Sequence, residues 1–312
     1  MKKTLLDLLV CPSCLPHENK LVGRIQREEE GDMVEGVLEC RRCGRSYPVR
    51  EGIAFLDPRG EVAPPTESKY ETPAVVSSYL WSHYGDLLGD GEASDAYGQW
   101  ASLLSGTDGP AIDLGSAVGR FSFEMTTKSH FVVGIDNSVS FVRSARELMV
   151  RRRKGISLRE EGNLSREETL VLRDDWRSDN VEFIVGDALA LPFPSHTFSR
   201  LASLNLIDKV PLPLKHLQEL NRVAPNEGVE LLLSDPFSWS TDVARPEDWL
   251  GGTQKGPFAG RGLDNVKALL GGKDGWIRPA WTPGGEGHIW WKIRTHANHF
   301  ELIRSCYVKA AR

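Results

Sequence analysis

Two features of the 312-residue chain predict an α/β protein: a Rossmann-like parallel sheet preceded by a small metal-dependent ribbon. Four of the five cysteines form two pairs, Cys11-x-x-Cys14 and Cys40-x-x-Cys43, inside a short N-terminal segment. From about residue 110 apolar strand-like runs alternate with helical ones, and the first run, in GPAIDLGSAVGRFSFEM, feeds a glycine loop. Strand–helix–strand alternation means a parallel sheet with crossover helices. With 38 Lys+Arg against 43 Asp+Glu the net charge is −5, which disfavours nucleic acid as a partner held through its phosphates. No apolar run reaches the roughly 18 residues of a membrane span, and MKKTLLDLLVCPSC lacks a long apolar core and a cleavage site. A cytoplasmic protein with no membrane partner is expected.

In the ribbon, a two-residue spacer lets both thiolates of a knuckle face one tetrahedral ion. LVGRI and GVLEC, around the charged turn REEEGDM, form the hairpin that returns the second knuckle. Cys11, Cys14, Cys40 and Cys43 are therefore the expected structural zinc ligands, with His17 a bystander. Two disulfides or four free thiols are the alternatives, and a reducing compartment disfavours the disulfides. So small a module buries little core and depends on its metal to fold. RSYPVREGIAFLDP then adds a strand, a glycine turn and a last apolar run. Across residues 1–57, LLDLLVCPSC, CRRCGRSYPVR and GIAFL resemble the Trm112-like zinc ribbons, proteins that hold and activate methyltransferases. The resemblance implies that the ribbon braces or covers whatever follows it.

Residues 58–69, PRGEVAPPTESK, read as an extended linker. The next domain, 70–312, opens on VVSSYLWSHYGDLL. There Val76, Tyr79, Leu80, His83, Tyr84 and Leu87 recur at three- and four-residue intervals and form one helix face.

The glycine loop follows a strand ending near Asp113, and Gly115, Ala117 and Gly119 let backbone N–H groups approach a ligand. A second strand, HFVVGIDNS, ends at Asp136, about 20 residues beyond the loop, where a carboxylate can accept both hydroxyls of a ribose. VEFIVGDALALPF ends at Asp187, and RLASLNLIDKV carries Asn205. The helix PLKHLQELNRVAPNEG and the strand VELLLSDPFSW complete the alternation. Ligands of such sheets sit beyond the strands' carboxyl ends, where all four polar residues fall. Helix capping is the alternative use of these side chains.

The D-L-G-x-x-x-G spacing resembles the S-adenosylmethionine (SAM) loop of class I methyltransferases. That resemblance implies SAM contacts at Asp113, Gly115, Ser116, Gly119, Asp136, Asn137, Asp187, Ala188 and Asn205, with Asp187 and Ala188 against the adenine. Across about residues 70–309, SSYLWSHYG, DLGSAVGRFSFEM, LNLIDKVPLPLKHL, DWLGG and KIRTHANHFELIRSCYVKA resemble the methyltransferase domain of ovothiol-synthesis enzymes, the mercaptohistidine N-methyltransferases. Ser116 stands where that family usually has Cys. The resemblance implies a small acceptor with a nitrogen or sulfur nucleophile, a thiohistidine-like compound or another thiol or imidazole.

On the acceptor side the candidate catalytic residues are His83, Asp208 of NLID and Tyr84, and the candidate substrate-binding residues are Tyr79, Arg294 and His296. Capping or core hydrogen bonding is the plain alternative for each. Cys306 reads as core or surface, and Trp239, Trp249, Trp290 and Trp291 as an aromatic wall or as ordinary packing. TQKGPFAGRGLDNVKALLGGKDG reads as a mobile substrate cover, and the charged segment 151–180 as a solvated insertion between the second and third strands. Two other functions share this outline. One is an rRNA or tRNA base methyltransferase that grips RNA or a partner through the ribbon, using Arg41, Arg42, Arg45 and Arg50; the other is a non-catalytic scaffold or activator of another methyltransferase.

Overall fold

The computed structural model describes residues 1–59 and 68–312, so most of the expected linker 58–69 lies outside the described residues. A short helix α1 (Lys3–Leu6) precedes four ribbon strands, β1 (Leu21–Glu29), β2 (Asp32–Cys40), β3 (Ser46–Arg50) and β4 (Ile53–Leu56). Glu30 and Gly31, at φ +48° and +86°, make the tight reversal between β1 and β2, which needs left-handed backbone at both positions. Helices α2 (Pro73–Tyr84) and α3 (Ala96–Ser102) follow, then β5 (Ala111–Leu114), α4 (Arg120–Met125), β6 (Val132–Asp136) and α5 (Val139–Arg151). After a hairpin of β7 (Arg153–Glu161) and β8 (Leu164–Val171) come β9 (Val181–Gly186), β10 (Arg200–Leu204), α6 (Pro213–Val223) and β11 (Glu230–Asp235). Helix α7 (Gly262–Leu270) and a long hairpin of β12 (Thr282–His296) and β13 (His299–Ala311) complete the chain.

One sheet of 11 strands runs β1-β2-β3-β4-β9-β6-β5-β10-β11-β13-β12. From β4 to β11 neighbouring strands are parallel, and β13 is antiparallel to β11. The parallel strands are buried almost throughout, as expected where helices cover both faces. The strand order reverses between β5 and β10, which places a ligand crevice outside the carboxyl ends at that point.

The ribbon is part of this sheet. β4 pairs with β9 through Phe55 opposite Val185 and Leu56 opposite Gly186. Alternation along β4 sends Ile53 and Phe55 to the apolar layer under α2–α5, and Ala54 and Leu56 to the layer that joins the ribbon's core to α6 and α7. At the same seam the fully buried Glu182 carboxylate accepts from the Lys2 backbone N–H and pairs with Arg146, whose guanidinium also donates to the Glu51 carbonyl.

Three expectations change. The segment 151–180 is the β7–β8 hairpin, not a solvated excursion: Ile156, Leu158 and Leu170 are buried, with Leu172 and Trp176, against α2, α5 and β12. The apolar positions recur with period two inside a highly charged sequence, and the charge hid the pattern. Helix α2 does not keep to one apolar face, because β7 and β12 close over it and Leu80–Tyr84 are all buried. The middle of the expected mobile cover is α7, whose Val266, Leu269 and Leu270 are core. Among the described residues no helix is long and apolar enough to cross a membrane.

Candidate active site

A cavity of about 380 Å³ opens at the carboxyl ends of the parallel strands, within the usual range for small-molecule sites. One side is the glycine loop. Gly115 and Gly119 have φ +71° and +88°, and a Cβ on Gly119 would meet the Phe183 ring at 2.7 Å, so the loop can run this close to β9 only with glycine there. Asp136, at the end of β6, accepts from the Ala117 and Ser138 backbone N–H groups, one on each carboxylate oxygen, both at 2.8 Å. Each oxygen keeps a lone pair for a ligand hydroxyl. Gly115, Asp136, Asn137 and Asn205 all line the cavity. Asn205 has φ +55° and accepts from Ser305 Oγ at 2.5 Å, which ties the loop after β10 to β13.

The remaining cofactor-side residues lie behind the wall or away from it. Asp113 is buried and accepts from Ser122 Oγ at 2.7 Å; Gly119 caps α4; Ser116 Oγ is buried with no partner among the described residues. Tyr84 donates to the Val118 carbonyl at 2.8 Å and so fixes the loop from below. Asp187 accepts from the Leu189 N–H at 2.8 Å, as a turn residue, and neither it nor Ala188 lines the cavity. Phe141 and Asn137 occupy the lining near Asp136 instead.

Opposite the loop stand Tyr79 and His83 of α2, Tyr97 of α3, and Trp291 and Glu301 of the β12–β13 hairpin. His83 Nε2 and Tyr97 Oη are 2.6 Å apart, their rings stack at 4.0 Å, and His83 Nδ1 has no partner among the described residues. Burial, helped by the charge of Arg120, pushes the His83 imidazole well below its ordinary range, so it is neutral at physiological pH.

Asp208 lies beneath the floor of the cavity. Its Oδ2 accepts from the Ser238 N–H at 2.8 Å and pairs with Lys209 at 3.1 Å, while Asp235 accepts from the Phe237 N–H at 2.6 Å. Both carboxyls are pushed up, Asp208 by burial and Asp235 by burial and then by its acidic neighbour. Together they brace the loops after β10 and β11, which bring Lys209 and Ser238 to the cavity. Asp208, expected at the reacting centre, thus does not line the cavity. Arg294 and His296 fall outside: Arg294 pairs with Glu160 of the β7–β8 hairpin at 2.7 Å, and His296 sits beside His299 at the hairpin tip. Of the four tryptophans only Trp291 reaches the cavity; Trp239 stacks on Trp249, and Trp290 is 47% exposed. Tyr97 and Glu301 carry no local signal in the sequence.

In the ribbon the four cysteine sulfurs lie within 4.8 Å of one another, with Cys11–Cys43 and Cys14–Cys40 each at 3.7 Å. Disulfide sulfurs would be about 2.05 Å apart. Four sulfurs at ~2.3 Å from a tetrahedral ion stand roughly 3.8 Å apart, which this cluster matches. Tyr47 Oη lies 3.3 Å from Cys11 Sγ and 2.7 Å from Ser13 Oγ, a second layer that holds the first knuckle.

The fold and the loop define a class I SAM-dependent methyltransferase domain, and residues 112–232 match the methyltransferase domain family. Residues 2–52 match the Trm112p-like protein family, so the chain joins a Trm112-like domain to a methyltransferase domain in one polypeptide. Among solved structures it is similar to the YcgJ protein of Bacillus subtilis, at 13% identity over 70% of this chain and 97% of that one, with a TM-score of 0.45. It is also similar to a SAM-dependent methyltransferase of Methanosarcina mazei, at 17% identity over 66% and 93%, with a TM-score of 0.41. A chain of the complex between the Haloferax volcanii Trm112 methyltransferase activator and a methyltransferase aligns at 14% identity over 75% and 96%, with a TM-score of 0.44. No curated protein matches the chain.

Because burial raises the Asp136 carboxyl to about 6, its ionised form is complete only above that pH. Affinity for SAM is expected to fall as pH drops through about 6, since a protonated carboxyl is the weaker acceptor for ribose hydroxyls. Calorimetric titrations at pH 5 and pH 7.5 check this; equal affinities would remove Asp136 from the ribose site.

Proposed function

We propose that the chain transfers the methyl group of SAM to a nitrogen or sulfur of a small molecule held between the glycine loop and the α2/β12–β13 wall, thiohistidine-like compounds being the first acceptors to try. The observation that carries this reading is the cavity itself: a SAM-type loop and acid on one side, and an aromatic wall with a neutral histidine on the other. Bound SAM supplies a methyl already activated on a sulfonium. The chain's residues then have to align the acceptor and exclude water. Asp136 accepts ribose hydroxyls, Gly115 admits the ligand close to the backbone, and Asn205 holds its loop against β13. His83, kept neutral and braced by Tyr97, lines the acceptor half and keeps a competing positive charge away from the nucleophile. Tyr79 and Trp291 pack on the acceptor's body.

The cysteine cluster is read as a structural zinc site, and the ribbon as a brace in cis for the sheet edge at β9. Calorimetry of zinc-loaded protein with SAM and S-adenosylhomocysteine, followed by methyl transfer to a panel of imidazoles, thiols and amines, tests the whole reading. Asp136→Ala is expected to weaken SAM at least tenfold, and His83→Ala to lower turnover at least tenfold with SAM affinity unchanged. Absence of SAM binding by a folded, zinc-replete sample would leave the scaffold reading in its place.

A further inference from the structure

Three ring pairs of the acceptor wall are set at steep angles, while His83 stacks on Tyr97 and Tyr79 lies at 36° to Phe141 with centroids 4.6 Å apart. Tyr70 and Tyr79 meet at 88° with centroids 6.0 Å apart, Tyr79 and Trp291 at 72° and 6.0 Å, and Tyr97 and Trp291 at 89° and 6.4 Å. Rings at these steep angles present both π-faces and edges around the space they line. The negative faces of aromatic rings attract cations and repel anions. Glu301 lines the same wall, and its side chain has no hydrogen bond or ion pair among the described residues. Of the two lysines that line the cavity, Lys209 is already paired with Asp208. The other, Lys69, lies over the Tyr70 ring, its ammonium 5.2 Å from the centroid. The wall therefore already holds one ammonium belonging to the chain itself, and among the described residues no arginine lines the cavity to receive a carboxylate, phosphate or thiolate. Ile293 and Ile303, on adjacent strands of the hairpin, add an apolar patch beside Glu301.

We infer that the acceptor half of the cavity selects an organic cation: a small amine whose ammonium seats among Tyr79, Tyr97 and Trp291, faces Glu301, and lays its apolar body on Ile293 and Ile303. This rests on the methyl-transfer reading of the cavity and narrows its acceptor from nitrogen or sulfur to an amine. An anionic thiolate meets an acidic rim and π-faces here, both unfavourable. The neutral His83 lies on the same wall and adds no competing positive charge. The bound ammonium first gives one proton to solvent beside the exposed Glu301, and the freed nitrogen lone pair would then form the N–C bond as the methyl's S–C bond breaks, with S-adenosylhomocysteine as the leaving group.

The test uses full-length, zinc-loaded protein saturated with S-adenosylhomocysteine, titrated by calorimetry and tryptophan fluorescence with choline and with its uncharged isostere 3,3-dimethyl-1-butanol. Choline is expected to bind at least tenfold more tightly than the isostere. Glu301→Gln, an exposed substitution that leaves the core intact, is expected to weaken choline about threefold, the scale of a partly solvated charge pair, without changing the isostere or S-adenosylhomocysteine. Equal affinity for the two probes, no choline binding at all, or tighter binding of 3-mercaptopropionate than of choline would each overturn the amine assignment. Failure of S-adenosylhomocysteine to bind is a separate result and would overturn the methyltransferase reading instead.

Discussion

Removing the metal from the ribbon is expected to unfold residues 1–57 and to lower the thermal midpoint of the rest of the chain as well. Structural zinc bound by thiolates contributes about 10–16 kcal/mol of apparent binding free energy in small modules, and that energy is folding energy where the core is small. The ribbon's own core includes Leu9, Leu38, Tyr47 and Val49, with α1 a single turn. Loss of the metal then propagates, because β4 is an interior strand of the sheet. Without it β9 becomes an edge, and the layers that Ile53, Phe55 and Leu56 fill on the two faces are opened to water. Circular dichroism melts before and after chelation, with metal content measured on the same samples, check this, and Cys14→Ser should behave as the chelated protein does. A metal-free sample that melts unchanged would mean the seam alone holds the ribbon, through Arg146, Glu182 and the β4–β9 pairing.

What was legible in the sequence was local. Two CxxC pairs specify a cluster wherever the chain between them returns, and strand ends specify one side of the cavity because Asp136 ends its strand and Gly115, Asn137 and Asn205 each follow directly from theirs. The acceptor wall is assembled otherwise. It joins α2 and α3 to a hairpin some 200 residues later, so no window of sequence contains it, and Tyr97 and Glu301 went unmarked. The hairpin also explains why Arg294 and His296 are elsewhere. Side chains alternate along a strand, so Trp291 and Ile293 face the cavity while Arg294 points to the other side, toward Glu160. The five residues from Trp291 to His296, at about 3.3 Å each, carry the imidazole roughly 16 Å toward the hairpin tip. The charged hairpin β7–β8 reads as solvated for a related reason: composition reports its solvent face, whereas its packing is set by every second residue.

Arg120→Ala is expected to destabilise the chain by about 3–5 kcal/mol, the cost of removing one partner from a buried charge cluster. Nothing in GRFSFEM announces this residue, yet its side chain is 2% exposed. Its guanidinium pairs two-pronged with Asp86, at 2.7 and 2.9 Å, pairs with Glu124 at 2.9 Å, and donates to the His83 carbonyl at 2.8 Å. Its plane also lies 4.7 Å from the Trp176 ring, next to the β7–β8 hairpin. Burial alone would ease its proton off, but Asp86 and Glu124 more than offset that and keep it charged. With alanine at this position Asp86, Glu124 and the more exposed Asp95, 3.7 Å from the guanidinium, are left without their shared counter-charge, and α2 loses its tie to the glycine-loop helix α4. Arg120→Lys should restore only part of the loss, since a single ammonium cannot reproduce the fork. Because the same guanidinium holds the His83 backbone, turnover of the folded fraction should fall further than SAM affinity does. Urea denaturation gives the stability change, and calorimetry with S-adenosylhomocysteine on the native fraction gives the affinity. A loss below about 1 kcal/mol, the scale of an exposed ion pair, would show that the cluster is solvated and that α2 is held in place by its aromatic contacts instead.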